Sequence, residues 1–314
     1  MKYAFVFPGQ GAQFVGMGKE LADNFATARD VFAEVNEALN QDLFKIMLEG
    51  PDSALTMTAN AQPALMAFSL AIVRVLERDF NITLKDKATF VAGHSLGEYS
   101  AACTAGVFSL TDTARLLRLR GQSMQNAVPV GKGGMAAIIG LSYQDVGALV
   151  EACSNGSDIC VAANDNSEGQ VVLSGAMTAI DRAIEIAPEF GARKCVKLAV
   201  SAPFHSPYMA PAADIMARAF MQVETHDAQI PLIANVLAEP ITNHKEITKQ
   251  LIAQVTGTVR WRETMDFLHK QNITDVVELG AGKVLSGLFK RSYKDINAIS
   301  VGSIAEIEEL AKNL

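Results

Sequence analysis

Short, wholly apolar runs alternate with longer amphipathic stretches along most of the chain. The runs YAFVF (3–7) and ATFVA (88–92) predict buried strands, while the spacing of apolar residues over 17–39 and 62–79 predicts helices. Pro8-Gly9 marks the end of the first strand and the start of a loop. Strands that alternate with long helices form parallel sheets with helices on both faces. The expected fold class is therefore α/β.

Residues 131–200 carry a different pattern. MAAIIGL, DICVAAN, GQVVLSG and RKCVKLAV predict strands, the middle two joined by the polar turn DNSEG, and SYQDVGALVEAC and AMTAIDRAIEIAPEF predict helices. The resulting order, β-α-β-β-α-β, is typical of a ferredoxin-like unit. We therefore predict a small ferredoxin-like domain at 131–200, inserted into a large domain formed by 1–130 and 201–314. Helices near 208–222 and 245–254, a strand at 275–280 and a C-terminal helical region are expected to complete the large domain.

One stretch, FVAGHSLGEYSAA (90–102), carries candidate chemistry. Ser95 stands between Gly93 and Gly97, after a buried strand and before a good helix former, which is the nucleophile-elbow pattern of α/β-hydrolases. The glycines leave room for a strained turn that exposes the hydroxyl, and the N–H of Leu96 would face a developing oxyanion. The alternative is a glycine-rich turn in which Ser95 only caps the helix.

A nucleophilic serine needs a base, and His205 is the best placed of five histidines. It follows a predicted buried strand in SAPFHSPYM, between two prolines that stiffen the loop, and strands of one parallel sheet end at one edge. The alternative is a structural loop histidine. No downstream carboxylate is marked by its context as a third member of a triad, which argues against an ordinary α/β-hydrolase.

Arginine spacing on one predicted helix, TDTARLLRLRGQSM, adds a second feature. At about 100° per residue, Arg115 and Arg118 share one face, apolar residues occupy the other, and Arg120 falls between them. A cation in an apolar stripe needs an anionic partner. Arg120 could bind an anionic substrate, form an internal salt bridge, or extend its head to solvent.

Composition narrows the function classes. The 314 residues are 49% hydrophobic and carry a net charge of −7 with no basic tract, which argues against nucleic-acid binding. Four cysteines without a CxxC pair argue against a zinc site or a disulfide scaffold and fit a reducing cytoplasm. The N-terminal apolar run is too short for a signal peptide. PALMAFSLAIVRVL meets Arg74 before the roughly 20 apolar residues of a membrane span, so neither export nor a membrane is expected.

These motifs together resemble the malonyl-CoA:acyl carrier protein transacylases, an acyltransferase family of fatty-acid and polyketide synthesis. The similarity runs along nearly the whole chain, through FVFPGQGAQ, AGHSLGEYSA, RLRGQSMQ, GMAAIIGL, PFHSPYM and VELGAGKVLSGL. The resemblance implies a two-part architecture that matches the inserted unit. It also implies a malonyl-serine intermediate in ping-pong transfer from malonyl-CoA to the phosphopantetheine thiol of acyl carrier protein.

The resemblance also assigns catalytic roles. Ser95 matches the family nucleophile and His205 its base, which a main-chain carbonyl at Gln254 would orient in place of a carboxylate. The family often has proline where this chain has Thr258. The N–H groups of Gln10 and Leu96 match the oxyanion hole, although PGQGAQ by itself favours an ordinary strand-to-helix loop.

Further positions match the substrate site of the family. Arg120 would bind the malonyl carboxylate, Phe204 would crowd the acyl pocket unless it is only a core residue, and Met124, Asn164 and Asn166 would complete the site. The resemblance implies no metal and no cofactor beyond the CoA thioester substrate. A monomer is expected, with Lys194, Lys197, Lys290 and Arg291 as candidates for docking an acidic carrier protein.

Other functions share some of these features. A trans-acting acyltransferase of polyketide synthesis would use the same residues, a serine thioesterase or esterase would use Ser95 and His205, and a non-catalytic acyl-binding module would keep only the pocket.

Overall fold

A six-stranded sheet forms the centre of the larger part of the protein. The computed structural model describes residues 2–200 and 202–314. The strands lie in the order β10-β9-β1-β2-β7-β8; their bounds are β1 Tyr3–Phe7, β2 Ala88–Gly93, β7 Leu232–Ile233, β8 Pro240–Ile241, β9 Asp275–Leu279 and β10 Asn297–Val301. All neighbouring pairs are parallel except β7 with β8, the antiparallel edge.

Strand β1 explains why both faces of this sheet are covered. All five of its residues are buried. Phe5 and Phe7 join the core on one side, while Ala4 and Val6 join a second core with Trp261 on the other. Because successive side chains of a strand point to opposite faces, a wholly apolar strand requires cover on both. The α/β fold class predicted from the sequence is confirmed.

Helices cover these faces. In this part of the chain they are α1 Lys19–Asn24, α2 Ala26–Leu39, α3 Leu43–Glu49, α4 Asp52–Thr56, α5 Thr58–Arg78, α6 Gly97–Thr104, α7 Leu110–Asn126, α10 Ala210–Phe220, α11 His244–Gln254, α12 Trp261–Lys270, α13 Val284–Ser292 and α14 Ile304–Asn313.

A separate four-stranded antiparallel sheet occupies the middle of the sequence. It comprises β3 Gly133–Ile139, β4 Cys160–Ser167, β5 Gln170–Ala176 and β6 Lys194–Lys197, with α8 Tyr143–Cys153 and α9 Met177–Ile186 between strands. The strand order is β4-β5-β3-β6. The predicted β-α-β-β-α-β order is therefore present, as in a ferredoxin-like unit. The domain boundaries at 130/131 and 200/201 stay a prediction.

Some elements differ from the sequence prediction. The C-terminal region contains β10 as well as helices, and β7 and β8 are two residues long, too short to leave a periodic signal. The turn between β4 and β5 is shorter than the predicted DNSEG. Asp165 still belongs to β4, where it pairs with Val171 of β5 despite its charge, and the chain reverses around Gly169.

Helix α5 is both long and strongly apolar. An 18-residue window within its 21 residues has a mean hydropathy of 1.3, so by length and composition α5 could cross a membrane, and the expectation that Arg74 shortens the run too far is wrong. However, 89% of that window is buried inside the protein. A core helix of a globular domain has the same properties, so α5 is weak evidence for a membrane span.

Candidate active site

Ser95 lies on a tight turn between β2 and α6. Its φ is 54°, in the left-handed region that non-glycine residues rarely adopt outside functional sites. The glycines on either side are required by close approach: a Cβ on Gly93 would lie 1.9 Å from the Gly97 carbonyl oxygen, and a Cβ on Gly97 2.3 Å from the Phe7 oxygen. Leu96, not Ser95, occupies the N-cap position of α6. The turn thus has the elbow geometry predicted for a nucleophile.

His205 faces this serine. Its Nε2 lies 2.7 Å from Ser95 Oγ, and its Nδ1 lies 2.8 Å from the main-chain carbonyl oxygen of Gln254. Because a carbonyl can only accept, Nδ1 carries the proton, and the lone pair of Nε2 is left to accept the hydroxyl proton of Ser95. The arrangement suits a general base oriented by a carbonyl instead of a carboxylate.

The surroundings keep this imidazole neutral. Burial, followed by the nearby Arg120 charge, lowers the pKa of His205 to about 3, while the hydrogen bond to the Gln254 carbonyl opposes the shift. A neutral imidazole is the form that can accept a proton.

The expected route of the chain to His205, from a buried strand of the parallel sheet, is wrong. The preceding strand, β6, is mostly exposed and lies at the edge of the small antiparallel sheet. His205 therefore does not extend from the parallel sheet. Its loop crosses from the small sheet to the carboxyl ends of β1 and β2, so the site lies between the two sheets.

Arg120 is the second buried charge at the site. It is 1% exposed, which excludes an extended conformation that reaches solvent. Its Nη1 donates to Gln62 Oε1 at 2.8 Å, and its Nη2 donates to Gln254 Oε1 at 2.7 Å and to Ser95 Oγ at 3.1 Å. The guanidinium carbon lies 5.5 Å from the centroid of the Tyr99 ring. These partners are neutral, so the guanidinium can still receive an anion.

A cavity of about 380 Å³ joins these groups. It is lined by eight of the predicted site residues: Gln10, Ser95, Leu96, Arg120, Met124, Asn164, Phe204 and His205. Gln254 contacts three of these residues from behind the wall. Asn166 does not line the cavity; its Oδ1 lies 2.8 Å from His94 Nε2. His94 itself lines the cavity.

Two main-chain N–H groups are available for an oxyanion. Over residues 2–200 and 202–314, neither the N–H of Gln10 nor that of Leu96 has an acceptor. The N–H of Ser95, by contrast, donates to Asn235 Oδ1 at 2.8 Å. Unpaired donors beside a nucleophile are what oxyanion stabilisation requires.

Sequence reasoning missed three polar residues around this cavity. Gln62 is a buried amide within the apolar helix α5, Asn235 follows the short strand β7, and Glu98 lies one turn beyond the nucleophile. Burial raises the pKa of Glu98 to about 7, against the hydrogen bonds from Gln254 and Asn235 and the charge of Arg120. A polar residue inside a strongly apolar helix was the available signal for Gln62. The other two depend on tertiary contacts.

The described residues contain no group of three or more His, Cys, Asp or Glu side chains placed to hold a metal ion.

Comparisons with known proteins agree on one family. The model of the acyl transferase domain family matches residues 4–310. Malonyl CoA-acyl carrier protein transacylase of Bacillus subtilis strain 168 is 40% identical over 307 residues, which cover 98% of this chain and 95% of that protein. The corresponding protein of Haemophilus influenzae is 40% identical over 315 residues and covers 100% of this chain and 99% of its own.

Solved structures give the same result. The acyl-carrier-protein-S-malonyltransferase of Bartonella henselae superposes with a TM-score of 0.97 at 51% identity, covering 100% of this chain and 99% of that one. A malonyl-transacylase in complex with a type II polyketide synthase acyl-carrier protein superposes with a TM-score of 0.96 at 38% identity, covering both chains completely. With full-length matches of this kind, the chain belongs to the acyl transferase domain family and, within it, to the malonyl CoA-acyl carrier protein transacylases.

Proposed function

We propose that this protein transfers the malonyl group of malonyl-CoA to the phosphopantetheine thiol of acyl carrier protein, and so supplies malonyl units for fatty-acid synthesis. One observation carries the proposal: the guanidinium of Arg120, which forms no ion pair with any described residue, lines the same cavity as the Ser95–His205 pair. A serine and a base serve any acyl transfer. A buried cation beside them selects an acyl group that ends in a carboxylate.

In the first half-reaction, His205 Nε2 takes the proton of Ser95 Oγ as the oxygen attacks the thioester carbonyl. The N–H groups of Gln10 and Leu96 stabilise the oxyanion, and CoA departs as the C–S bond breaks, with His205 returning the proton to the thiolate. Arg120 would exchange its contact with Ser95 Oγ for the malonyl carboxylate. That exchange frees the hydroxyl oxygen at the moment when it must become nucleophilic.

In the second half-reaction, the carrier thiol attacks the malonyl-serine and His205 accepts the thiol proton. The ester bond breaks, and Ser95 regains a proton from His205. Both halves use the same groups, so the transfer is reversible and needs no further cofactor. We also propose that the protein acts as a monomer in the cytoplasm.

Intact-mass measurement after addition of malonyl-CoA tests the proposal. We expect a malonyl adduct that persists until acyl carrier protein discharges it. Rapid loss of the adduct to water would indicate a thioesterase or esterase, and the absence of an adduct would indicate an acyl-binding module.

Replacing Arg120 should change the choice of substrate. Arg120→Ala should lower kcat/KM for malonyl-CoA about 30- to 800-fold, which corresponds to about 2–4 kcal/mol for a charged contact in a buried site. Acetyl-CoA has no carboxylate and so makes no such contact with Arg120. Its rate relative to that of malonyl-CoA should therefore rise. The measurement is kcat/KM for both thioesters.

Arg118→Ala is the matched control for that substitution. Arg118 lies on the same helix, is half-buried and donates to Asn60 Oδ1 at 2.8 Å, but it does not line the cavity. Its removal should leave the ratio of the two substrates unchanged. Equal losses for malonyl-CoA and acetyl-CoA in Arg120→Ala would mean that Arg120 is structural.

The ring of Phe204 should limit the size of the acyl group. Phe204 lines the cavity and is 8% exposed. The α-methyl group of methylmalonyl-CoA would crowd this packed wall, at a cost of about 1–3 kcal/mol. Phe204→Ser should therefore move the kcat/KM ratio toward methylmalonyl-CoA, with Phe204→Leu as an intermediate control. An unchanged ratio in a folded, active Phe204→Ser variant would reduce Phe204 to a core residue.

The acylation rate should be nearly independent of pH in the range where histidines normally titrate. The pKa of His205 is lowered to about 3. The imidazole therefore stays neutral, and the base stays active, as pH falls through the usual histidine pKa of about 6.5. The measurement is kcat/KM for acylation from about pH 7.5 to about pH 5. A decrease of kcat/KM below about pH 6.5 could come from protonation of His205 or of Glu98. The Glu98→Gln variant separates the two: a decrease that disappears in this variant belongs to Glu98, whereas one that persists would contradict the assignment of His205 as a base that stays neutral.

A carrier of polyketide synthesis is the second candidate partner. It is favoured by one structural neighbour, which was solved with a type II polyketide synthase carrier at 38% identity. Transfer rates to fatty-acid and polyketide carrier proteins, measured side by side, decide between the two.

Docking of an acidic carrier on a protein of net charge −7 requires a local basic surface. Of the four predicted positions, Lys194, Lys290 and Arg291 are exposed, and exposed Lys197 forms an ion pair with Asp181. Arg291 lines a cleft together with Arg193 and Arg262, two cations that the sequence did not single out. Glu168 and Asp266 line the same cleft, and Arg262 forms ion pairs with Asp165 and Asp266. The cleft is therefore not a net basic surface, and the predicted positions remain the candidates for docking.

A further inference from the structure

Glu98 is a fully buried carboxyl group that the transfer mechanism does not use. It lies in the first turn of α6, three residues after the nucleophile, and is 0% exposed. Its Oε2 accepts hydrogen bonds from Gln254 Nε2 at 2.8 Å and from the main-chain N–H of Asn235 at 3.2 Å. Burial of a carboxyl group is costly, so its presence here calls for a reason.

The two donors come from segments that are remote in sequence. Asn235 follows β7, and Gln254 is the last residue of α11. Each of them also holds the main chain of the nucleophile: Asn235 Oδ1 accepts from the Ser95 N–H at 2.8 Å, and Gln254 Nε2 donates to the Ser95 carbonyl oxygen at 2.9 Å. The peptide groups on both sides of Ser95 are thus fixed by residues that both bind Glu98.

This set of three residues, Glu98, Asn235 and Gln254, is called the elbow clamp below. It extends to the neighbouring strand end, because Asn235 Nδ2 donates to the Gly93 carbonyl oxygen at 2.7 Å. It also includes the base, because the main-chain carbonyl of Gln254 accepts from His205 Nδ1 at 2.8 Å. One carboxyl group therefore connects the nucleophile turn with the group that orients the base.

A clamp is needed at this turn. Ser95 has a φ of 54° and His205 a φ of 56°, so both reacting side chains are carried by main chain in the left-handed region. Such conformations persist only where surrounding contacts over-determine them. Acyl transfer depends on the separation of these two side chains, since a displacement of about 1 Å at a reacting group can cost about 10²-fold in rate.

We propose that Glu98 is a positioning residue for acyl transfer: through Asn235 and Gln254 it holds the Ser95 turn and His205 at the separation that the reaction requires. The proposal deepens the function proposed above and rests on it only for the identity of the acyl group. It differs from a role through Arg120, whose Nη2 donates to Gln254 Oε1 at 2.7 Å. A role through the binding of a substrate carboxylate by Arg120 would affect carboxylated substrates alone, whereas a clamp on the main chain of Ser95 affects every electrophile.

The experiment compares Glu98→Ala with Glu98→Gln by two readouts. One is the rate at which a fluorophosphonate labels Ser95: Oγ displaces fluoride from phosphorus, and the hydroxyl proton passes to His205. The other is pre-steady-state acylation by malonyl-CoA and by acetyl-CoA. Glu98→Ala should slow labelling and both acylations about 10²-fold, with KM little changed. Glu98→Gln keeps an acceptor oxygen for both donors and should recover to within about tenfold of the parent.

Glu278→Gln is the matched control. Glu278 is also 0% exposed, and its carboxylate accepts from the main-chain N–H groups of Leu285 and Ser286 at 3.1 and 2.8 Å, away from the cavity. Removal of this buried charge should affect folding but leave the labelling rate of the folded protein unchanged. A labelling rate that fell equally in Glu278→Gln would overturn a specific role of Glu98.

Three other results would also overturn the proposal: unchanged labelling in folded Glu98→Ala, a loss confined to malonyl-CoA, or Glu98→Gln no faster than Glu98→Ala. Should Glu98→Ala fail to fold, Asn235→Ala replaces it, because it removes the side-chain hold on Ser95 and should slow labelling likewise. Normal labelling of the parent protein without malonyl transfer would refute the proposed function and leave the clamp to be judged by the labelling rates.

Discussion

Ser95→Ala should abolish the malonyl adduct while leaving the fold intact. The hydroxyl is the only group lost. The turn that carries it is held through the main chain, because the Ser95 N–H donates to Asn235 and the Ser95 carbonyl accepts from Gln254. Without Oγ, His205 and the oxyanion donors have no nucleophile to act on. The measurement is intact mass after incubation with malonyl-CoA, together with the thermal unfolding midpoint.

Ser100→Ala is the control for this substitution. Ser100 is a buried serine on the helix that follows the turn, and it does not line the cavity. It should acquire the malonyl group like the parent protein. An adduct that still forms on Ser95→Ala would place the nucleophile at another residue, which peptide mapping of the adduct would then identify.

His205→Ala should lower the acylation rate by about 10²–10⁴, the usual contribution of a positioned general base. The expected size follows from the geometry: Nε2 lies 2.7 Å from Ser95 Oγ, and no second imidazole of the described chain contacts that oxygen. The quantity to measure is the single-turnover rate of malonyl-serine formation. Binding of malonyl-CoA should change little, because Arg120 remains in place.

His226→Ala serves as the control, since His226 is exposed and does not line the cavity. It should acylate at the parent rate. An unchanged rate in His205→Ala would assign the base to another group, and His94, which lines the same cavity, would be tested next.

The sequence determined the fold class through residues that have few alternatives. Five buried apolar residues in β1 can only be accommodated by a strand covered on both faces, and Ser142 begins α8 by capping it, as the pattern predicts. The elbow was also predictable locally, because Gly93 and Gly97 permit an approach of main chain that any Cβ would block. These features depend on neighbouring residues within short segments, so the amino-acid sequence of each segment is enough to predict them.

The partners of the elbow were decided by tertiary structure. His205 comes 110 residues after Ser95 and Gln254 another 49 after His205. The residues alone left His205 and Arg120 open to structural roles, and the resemblance to a family supplied their expected functions. Only the folded chain shows that Arg120 is enclosed and that its hydrogen-bond partners are the neutral side chains of Gln62, Ser95 and Gln254.

The sequence by itself thus determined the α/β fold and the separate four-stranded unit, and it predicted the tight turn at Ser95. The tertiary structure decided which polar residues meet at that turn: Asn235 and Glu98 carry no local signature of a site, and only the fold brings Gln62 of α5 to Arg120 of α7. The physical reason is that strands and turns are selected by nearby residues, whereas a buried hydrogen-bond network is selected by the requirement that each polar group find a partner wherever the chain brings one.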